Sequence, residues 1–408
     1  MIVLSGAELV TPDRVLSSGT LIIDDGRIVE IRADAPPGGH SAYAFRDHYI
    51  VPGFIDVHMH GVDGIDSLDG ENAVRSIAGR LPRYGVTAFC PTSVACAPEG
   101  LRCFLAQVRE ARATVDPRAS RVLPAHLESN FINPAFRGAQ PAACLRSPRA
   151  ALDGPAGSEA GRQHTRNSRA TDFEAADVLR EIEDAAASIA IVTIAPELDG
   201  GLDLVRWLSA RGLRPSIGHS NASYDEALAA IAAGARHATH LFNRMPPLHH
   251  RAPGMIGAIL QADEVAAELI CDGFHVHPAL IRTAVAAKRP SRVFAITDGT
   301  AASGLPVGRR ARLGGQPITA GESVAMLDDG TIAGSVLTMD RAFQVLVGQV
   351  GLSLVDAVTL CSATPARELG LAGHGALAPE AVADIVVLDA QFTVVQTYIA
   401  GQLVYTRH

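Results

Sequence analysis

"VPGFIDVHMHG" at residues 51–61 runs from an apolar stretch into two histidines with one residue between them. In a β-strand alternate side chains share a face, so His58 and His60 stand together at the end of one strand. The chain beyond keeps one rhythm, short apolar runs separated by helical periods. It has eight candidate strands, at 51–58, 86–92, 121–128, 190–196, 214–219, 236–241, 265–272 and 292–298. Candidate helices fit between them. "DFEAADVLREIEDAAA" at 172–187 has Thr171 and Asp172 as N-cap candidates, and "SYDEALAAIAAG" at 223–234 starts at Ser and stops at Gly. Strands alternating with helices eight times predict an α/β fold, a (β/α)8 TIM-type barrel with helices outside a parallel sheet.

The ends of the chain read differently. In "GTLIIDDGRIVEIRAD" the turn Asp25-Gly26 separates two alternating apolar runs, a hairpin signal. After residue 300 the pattern reverts to strands and turns, and "ADIVVLDAQFTVVQTYIAGQLVYT" alternates again. Residues 1–50 and 335–408 are therefore expected to form one small β-domain beside a barrel spanning 51–334. "SPRAALDGPAGSEAGRQHTRNSRA" at 147–170 fits neither pattern. It reads as a loop insertion, either a lid or dimer-crossing arm carrying His164 and Asn167, or a disordered surface segment.

Composition narrows the function classes. The chain has 408 residues, 48% of them hydrophobic, enough for one large core or one large and one small. A net charge of −8 and a single lysine, Lys288, argue against a nucleic-acid partner and favour a small molecule. "MIVLSGAELV" lacks the basic and apolar regions of a leader, and no run approaches the roughly 18 apolar residues of a membrane span, so the expectation is a soluble cytoplasmic protein with no membrane partner. The six cysteines have irregular spacings and no CxxC pair, so they suggest buried apolar residues over disulfides or a thiolate zinc site.

Active sites of parallel barrels sit at the C-terminal ends of the strands. Here strand one ends in His58 and His60, three in Glu128, five in His219, six in His240 and eight in Asp298. One histidine at a strand end would be an ordinary hydrogen-bonded residue, but this many converging with two carboxylates imply a catalytic divalent metal such as zinc, iron or manganese. His275 follows the seventh strand onto the same rim, and Arg251 could meet an anionic group, whereas His237, His249 and His250 read as structural or exposed. No phosphate-cradling GKS/T loop, GxSxG elbow or Cys-His pair supports another chemistry.

Together "PGFIDVHMHG", "HLE", "IGHSNASYDEA", "ATHLFNRMPPLHHRAPG", "ICDGFHVHP", "AITDGT" and "GTIAGSVLTMD" resemble the amidohydrolase superfamily and, within it, the N-acetylglucosamine-6-phosphate deacetylases. The resemblance spans nearly the whole chain. It implies a (β/α)8 barrel with a small β-sandwich domain, in a homodimer whose sites can borrow a residue across the interface. It also implies metal ligands His58, His60, Glu128, His219 and His240, holding one or two divalent ions, zinc foremost, with iron, manganese or cobalt as alternatives. Asp298 matches the general base and acid. Substrate contacts carry over to Asn243, Arg244, Arg251, His275 and the "IAG" backbone at Ile332, Ala333 and Gly334.

The chain departs from the family in one region. Where relatives read HLEGP, Ser129 and Asn130 follow Glu128, and Gln140 stands at the position of a substrate-facing histidine. Glutamine can donate a hydrogen bond but carries no charge. The resemblance implies hydrolysis of the acetamide of N-acetylglucosamine 6-phosphate to the amino-sugar phosphate and acetate. Alternatives are deacetylation of N-acetylgalactosamine 6-phosphate or of an unphosphorylated sugar, or a non-catalytic sugar-binding relative.

Overall fold

A computed structural model describes residues 1–33, 42–154 and 172–407. Most of the 147–170 insertion, with His164 and Asn167, lies outside the described residues. Its first part, Pro148–Leu152, is a short helix capped by the Ser147 hydroxyl.

Eight parallel strands form the barrel: β1 (Phe54–Met59), β2 (Val86–Ser93), β3 (Ala125–Glu128), β4 (Ile189–Ile194), β5 (Arg214–Ile217), β6 (His237–Ala238), β7 (Ala266–Ile270) and β8 (Val293–Ile296). Their registers bring the C-terminal ends to one level: Glu128 pairs with Thr193, Ile194 with Ile217 and Ile270 with Ile296. The ring closes between β8 and β1, where the Asp298 amide donates to the His58 carbonyl at 3.0 Å. The third expected strand is broken at Leu123 and Pro124, with Arg121–Val122 pairing separately on β2, because proline cannot donate to the ladder. The helix expected at 172–187 occupies Ala175–Asp184 and is capped by Glu174 with Asp177, not by Thr171 or Asp172. Ser223 caps the helix Tyr224–Ala233 and Gly234 ends it, as the sequence predicts.

The chain ends build one eight-stranded, mostly antiparallel sheet around its own apolar core of Leu4, Leu9, Ile50, Ile385 and Tyr398. Its hairpin turns at Asp25-Gly26, both at positive φ. The expected run of strands and turns after residue 300 needs correcting. Four strands between Arg310 and Ser335 form a separate sheet, and Met339–Glu368 is then helical. The buried side chains Met339, Phe343, Leu346 and Leu360 join the barrel core, so part of the 335–408 segment packs with the barrel. Two π-turns, Leu346–Val350 and Thr359–Ala363, interrupt this helical segment, which blurs its 3.6-residue period in the sequence.

Among the described residues no helix is long and apolar enough to cross a membrane. All six cysteines are free. Four are buried, Cys96 is half-buried and Cys103 is exposed.

Candidate metal centre and active site

Three site residues share one local device. His219, His240 and Asp298 each lie two residues beyond the last residue of β5, β6 and β8, with φ of 48°, 29° and 47°. Non-glycine residues avoid this left-handed region unless the surroundings hold them there. Here the turn off each strand carries the side chain over the barrel mouth.

The side chains meet as two adjoining donor groups, His58, His60 and Asp298, and Glu128, His219 and His240. Glu128 Oε1 lies 3.0 Å from His219 Nε2 and 2.9 Å from His240 Nε2, and those two nitrogens are 3.0 Å apart. His219 Nδ1 is 2.8 Å from the Phe136 carbonyl, which can only accept, so Nδ1 carries a proton. In the neutral ring Nε2 then aims a lone pair at a carboxylate oxygen, a contact that a cation between them makes favourable. In the other group His58 Nε2 and His60 Nε2 are 3.3 Å apart, and each is 3.3 Å from Asp298 Oδ1. Burial opposes charge on His60, yet hydrogen bonds to Asp298 and Glu128 outweigh it and raise the imidazole to about 10. Both groups attract positive charge, and their N/O donors fit a divalent ion.

A polar layer beneath the donors fixes them, and sequence reading missed it. Glu268 on β7 meets His58 Nδ1 at 2.9 Å. Burial pushes this carboxyl well above the usual range and His58 well below, so the pair by itself is neutral. A cation against Nε2 would favour the proton on Nδ1, leaving Glu268 as carboxylate. His126 meets Thr193 Oγ1 at 2.9 Å, and Asp56 accepts from the Thr297 hydroxyl at 2.5 Å, its pKa raised to about 7 by burial. The signals were present: Asp56 and His126 stand two residues before His58 and Glu128, on the same strand faces, and Glu268 interrupts the apolar "AAELI".

The departures near Glu128 are scaffold contacts. Ser129 Oγ donates to the Thr193 carbonyl, and Asn130 Nδ2 donates to the carbonyls of Cys96 and Cys144. Gln140 Nε2 donates to Glu128 Oε2, and Gln140 Oε1 accepts from the Ala95 amide at 2.7 Å. The expected substrate contact thus has its amide engaged on both sides by the protein, although Gln140 still borders the cavity.

The donors floor a cavity of about 460 Å³, within the range of small-molecule sites. His60, Glu128, Gln140, His219, His240, Asn243, Arg244, His275, Asp298, Ile332 and Gly334 line it. His58 lies buried beneath. Ala333 points the other way along its strand and packs in a separate apolar cluster, which removes its side chain from the cavity. Gly334, at φ 68°, passes so close to Asp298 that a Cβ would lie 2.9 Å from its carbonyl oxygen. Asp272 Oδ2 holds His275 Nδ1 at 2.6 Å. Arg251 is exposed, on a turn outside the cavity of its own chain.

A closed parallel barrel with paired His/carboxylate donor groups at its C-terminal mouth defines the class of metal-dependent barrel hydrolases. Residues 49–404 match the amidohydrolase family model, and the chain belongs to that family. It is 32% identical to N-acetylglucosamine-6-phosphate deacetylase of Bacillus subtilis, over 97% of this chain and 95% of the relative. It is also 32% identical to N-acetylgalactosamine-6-phosphate deacetylase of Escherichia coli O157:H7, over 98% of both chains. A solved structure of N-acetyl-D-glucosamine-6-phosphate deacetylase from Mycobacterium smegmatis, in complex with N-acetyl-D-glucosamine-6-phosphate, superposes with a TM-score of 0.86 at 31% identity, covering 99% of each chain.

Proposed function

We propose that this chain is a metal-dependent deacetylase that hydrolyses the acetamide of N-acetylglucosamine 6-phosphate to glucosamine 6-phosphate and acetate. The observation that carries the reading is Asp298. Its carboxylate closes the His58/His60 group and also borders the substrate cavity.

His58, His60 and Asp298 would hold one divalent ion, and Glu128, His219 and His240 a second. Bound there, such an ion polarises an acyl oxygen and acidifies water. Asp298 takes the proton of the attacking water as the new C–O bond forms. It then returns that proton to the amide nitrogen as the C–N bond breaks, because an amine leaves poorly unless protonated. His275, oriented by Asp272, and Asn243 border the sugar's place in the cavity.

Zinc suits the nitrogen and oxygen donor set, and the free cysteines fit a reducing compartment such as the cytoplasm. Arg251, exposed outside its own cavity, suits a homodimer in which it serves the partner's site. The 32% identity to an N-acetylgalactosamine-6-phosphate deacetylase supports a second reading with the epimeric sugar. Acetate release from both 6-phosphates and from unphosphorylated N-acetylglucosamine separates the readings. Preference for N-acetylglucosamine 6-phosphate is expected, and preference for the galacto sugar would replace it with the second.

A further inference from the structure

We infer that Glu197 is a positioning residue for the metal centre, its carboxylate clamping the loops after β3 and β5 around His219. The inference deepens the proposed function and rests on that reading for the ion that His219 would hold. Glu197 lies three residues beyond β4, half-buried, and does not border the cavity. It therefore acts on the site through other residues.

Donors from two neighbouring loops meet on this carboxylate. Oε2 accepts from the Ser220 hydroxyl at 2.7 Å, and Oε1 accepts from the Asn221 amide at 2.7 Å and from Asn133 Nδ2 at 2.9 Å. Ser220 and Asn221 directly follow His219, so Glu197 pins the chain just beyond a residue held at φ 48°. Asn133 reaches the same histidine in two ways. Its amide donates to the His219 carbonyl at 2.9 Å, and its Oδ1 caps the 3₁₀ turn Pro134–Phe136 through the Ala135 amide. Phe136 in that turn presents the carbonyl that accepts from His219 Nδ1 at 2.8 Å. The contacts Glu197–Asn133–Phe136–His219 thus end on the ring proton that leaves Nε2 free to meet a cation.

His219 is also the imidazole on which the orientation of its donor group depends. Among the described residues the buried Nδ1 of His240 has no hydrogen-bond partner, so in the group Glu128, His219 and His240 the ring fixed from behind is that of His219. A non-glycine residue in the left-handed region stays there only when its surroundings over-determine it. A carboxylate supplies this, because its two oxygens accept from all three donors without setting a donor against a donor. Glutamine at 197 keeps an acceptor for Asn133 and Asn221 and turns its amide N–H toward the Ser220 oxygen, which can accept, whereas alanine releases all three donors.

The test uses full-length wild type, Glu197→Ala, Glu197→Gln and Asn133→Ser, each stripped of metal and titrated with cobalt(II) against a competing chelator while the visible spectrum is recorded. Serine at 133 still caps the turn but is too short to reach Glu197. Glu197→Ala should weaken the ion at Glu128, His219 and His240 by about 10–100-fold and shift its ligand-field bands. Asn133→Ser should shift the same bands and weaken the same ion by about tenfold, which decides the matter if Glu197→Ala does not fold. Glu197→Gln should stay within about fivefold of wild type. A structural role alone would lower the urea midpoint and leave cobalt affinity and bands unmoved in the folded variants. That result, equal losses in Glu197→Gln and Glu197→Ala, or wild type that takes up no cobalt would overturn the inference. If wild type binds cobalt but releases acetate from neither 6-phosphate, the proposed function fails, and the titration still decides the role of Glu197.

Discussion

Glu268 Oε2 and His58 Nδ1 share a hydrogen bond of 2.9 Å in the floor of the barrel mouth, with both side chains fully buried. A carboxylate behind a ligating imidazole fixes the ring's orientation and raises its basicity, and losing it typically weakens metal binding 10–100-fold. With an ion in each donor group, as proposed, Glu268→Gln is therefore expected to lose the one at His58, His60 and Asp298 first and to retain the one at Glu128, His219 and His240. Elemental analysis along a chelator titration should show a drop of about one ion per chain. Identical titration curves for variant and wild type would contradict this role.

Gln140 acts on the other donor group by holding Glu128 Oε2. Gln140→Ala should free that oxygen and speed metal loss from Glu128, His219 and His240 by about tenfold. Gln140→Glu should do more, because it sets a like charge against Glu128. Chelator-driven release rates check both variants. A change confined to KM, with release rates unmoved, would make Gln140 a substrate contact instead.

Asp298→Asn keeps the size of the side chain but removes its capacity to take a proton. The expected loss in kcat is about 10²–10⁴-fold, the usual worth of a positioned general base or acid. Metal content measured on the same sample separates loss of proton transfer from loss of a ligand. An unchanged kcat would remove Asp298 from its assigned role.

Lys288 is the only lysine in the chain and lies buried, with Nζ donating to the carbonyls of Ile259 and Ala262 near the end of the helix Gly254–Gln261. Burial lowers its ammonium to about 8, against about 10.4 in an unfolded chain. Between those values the unfolded chain holds a proton that the folded chain has released. The contribution of Lys288 to stability therefore rises with pH there, by at most about 1.4 kcal/mol per pH unit, and is constant at its low level below about 8. Lys288→Met should cost about 1–3 kcal/mol at pH 7 by orphaning the two carbonyls. Urea midpoints at pH 7, 8.5 and 10 should show wild type gaining on the variant as pH rises. Parallel pH dependences would refute the assignment.

The barrel and the positions of its mouth residues were legible because both depend on short periods. Alternation marks His58 and His60, and strand ends locate Glu128, His219, His240 and Asp298. The same alternation carried one step further down β1 and β3 reaches Asp56 and His126, a signal present in the sequence, whereas their partners Thr297 and Thr193 come from distant parts of the chain and are set by the fold. The partnership of Gln140 with Glu128 and Ala95 joins three separate chain segments and has no local signature. Met339–Glu368 escaped because its π-turns and glycines at 348 and 351 break the helical period, and its burial against the barrel is a tertiary fact. The face of the strand Ile332–Ser335 that meets the cavity is likewise set by Gly334 passing over Asp298, not by the "IAG" tripeptide itself.

The clustered donors and Asp298 are proposed together to cleave the acetamide of an amino-sugar phosphate with a divalent ion. The most direct test of this proposal is acetate release from N-acetylglucosamine 6-phosphate by chelator-treated protein, before and after stepwise addition of zinc, with bound metal counted at each step. Acetate should be absent from the stripped protein and return in proportion to the ion bound, with one free amine formed per acetate. Full activity in protein shown to contain no metal, or no acetate at full metal occupancy, would contradict it.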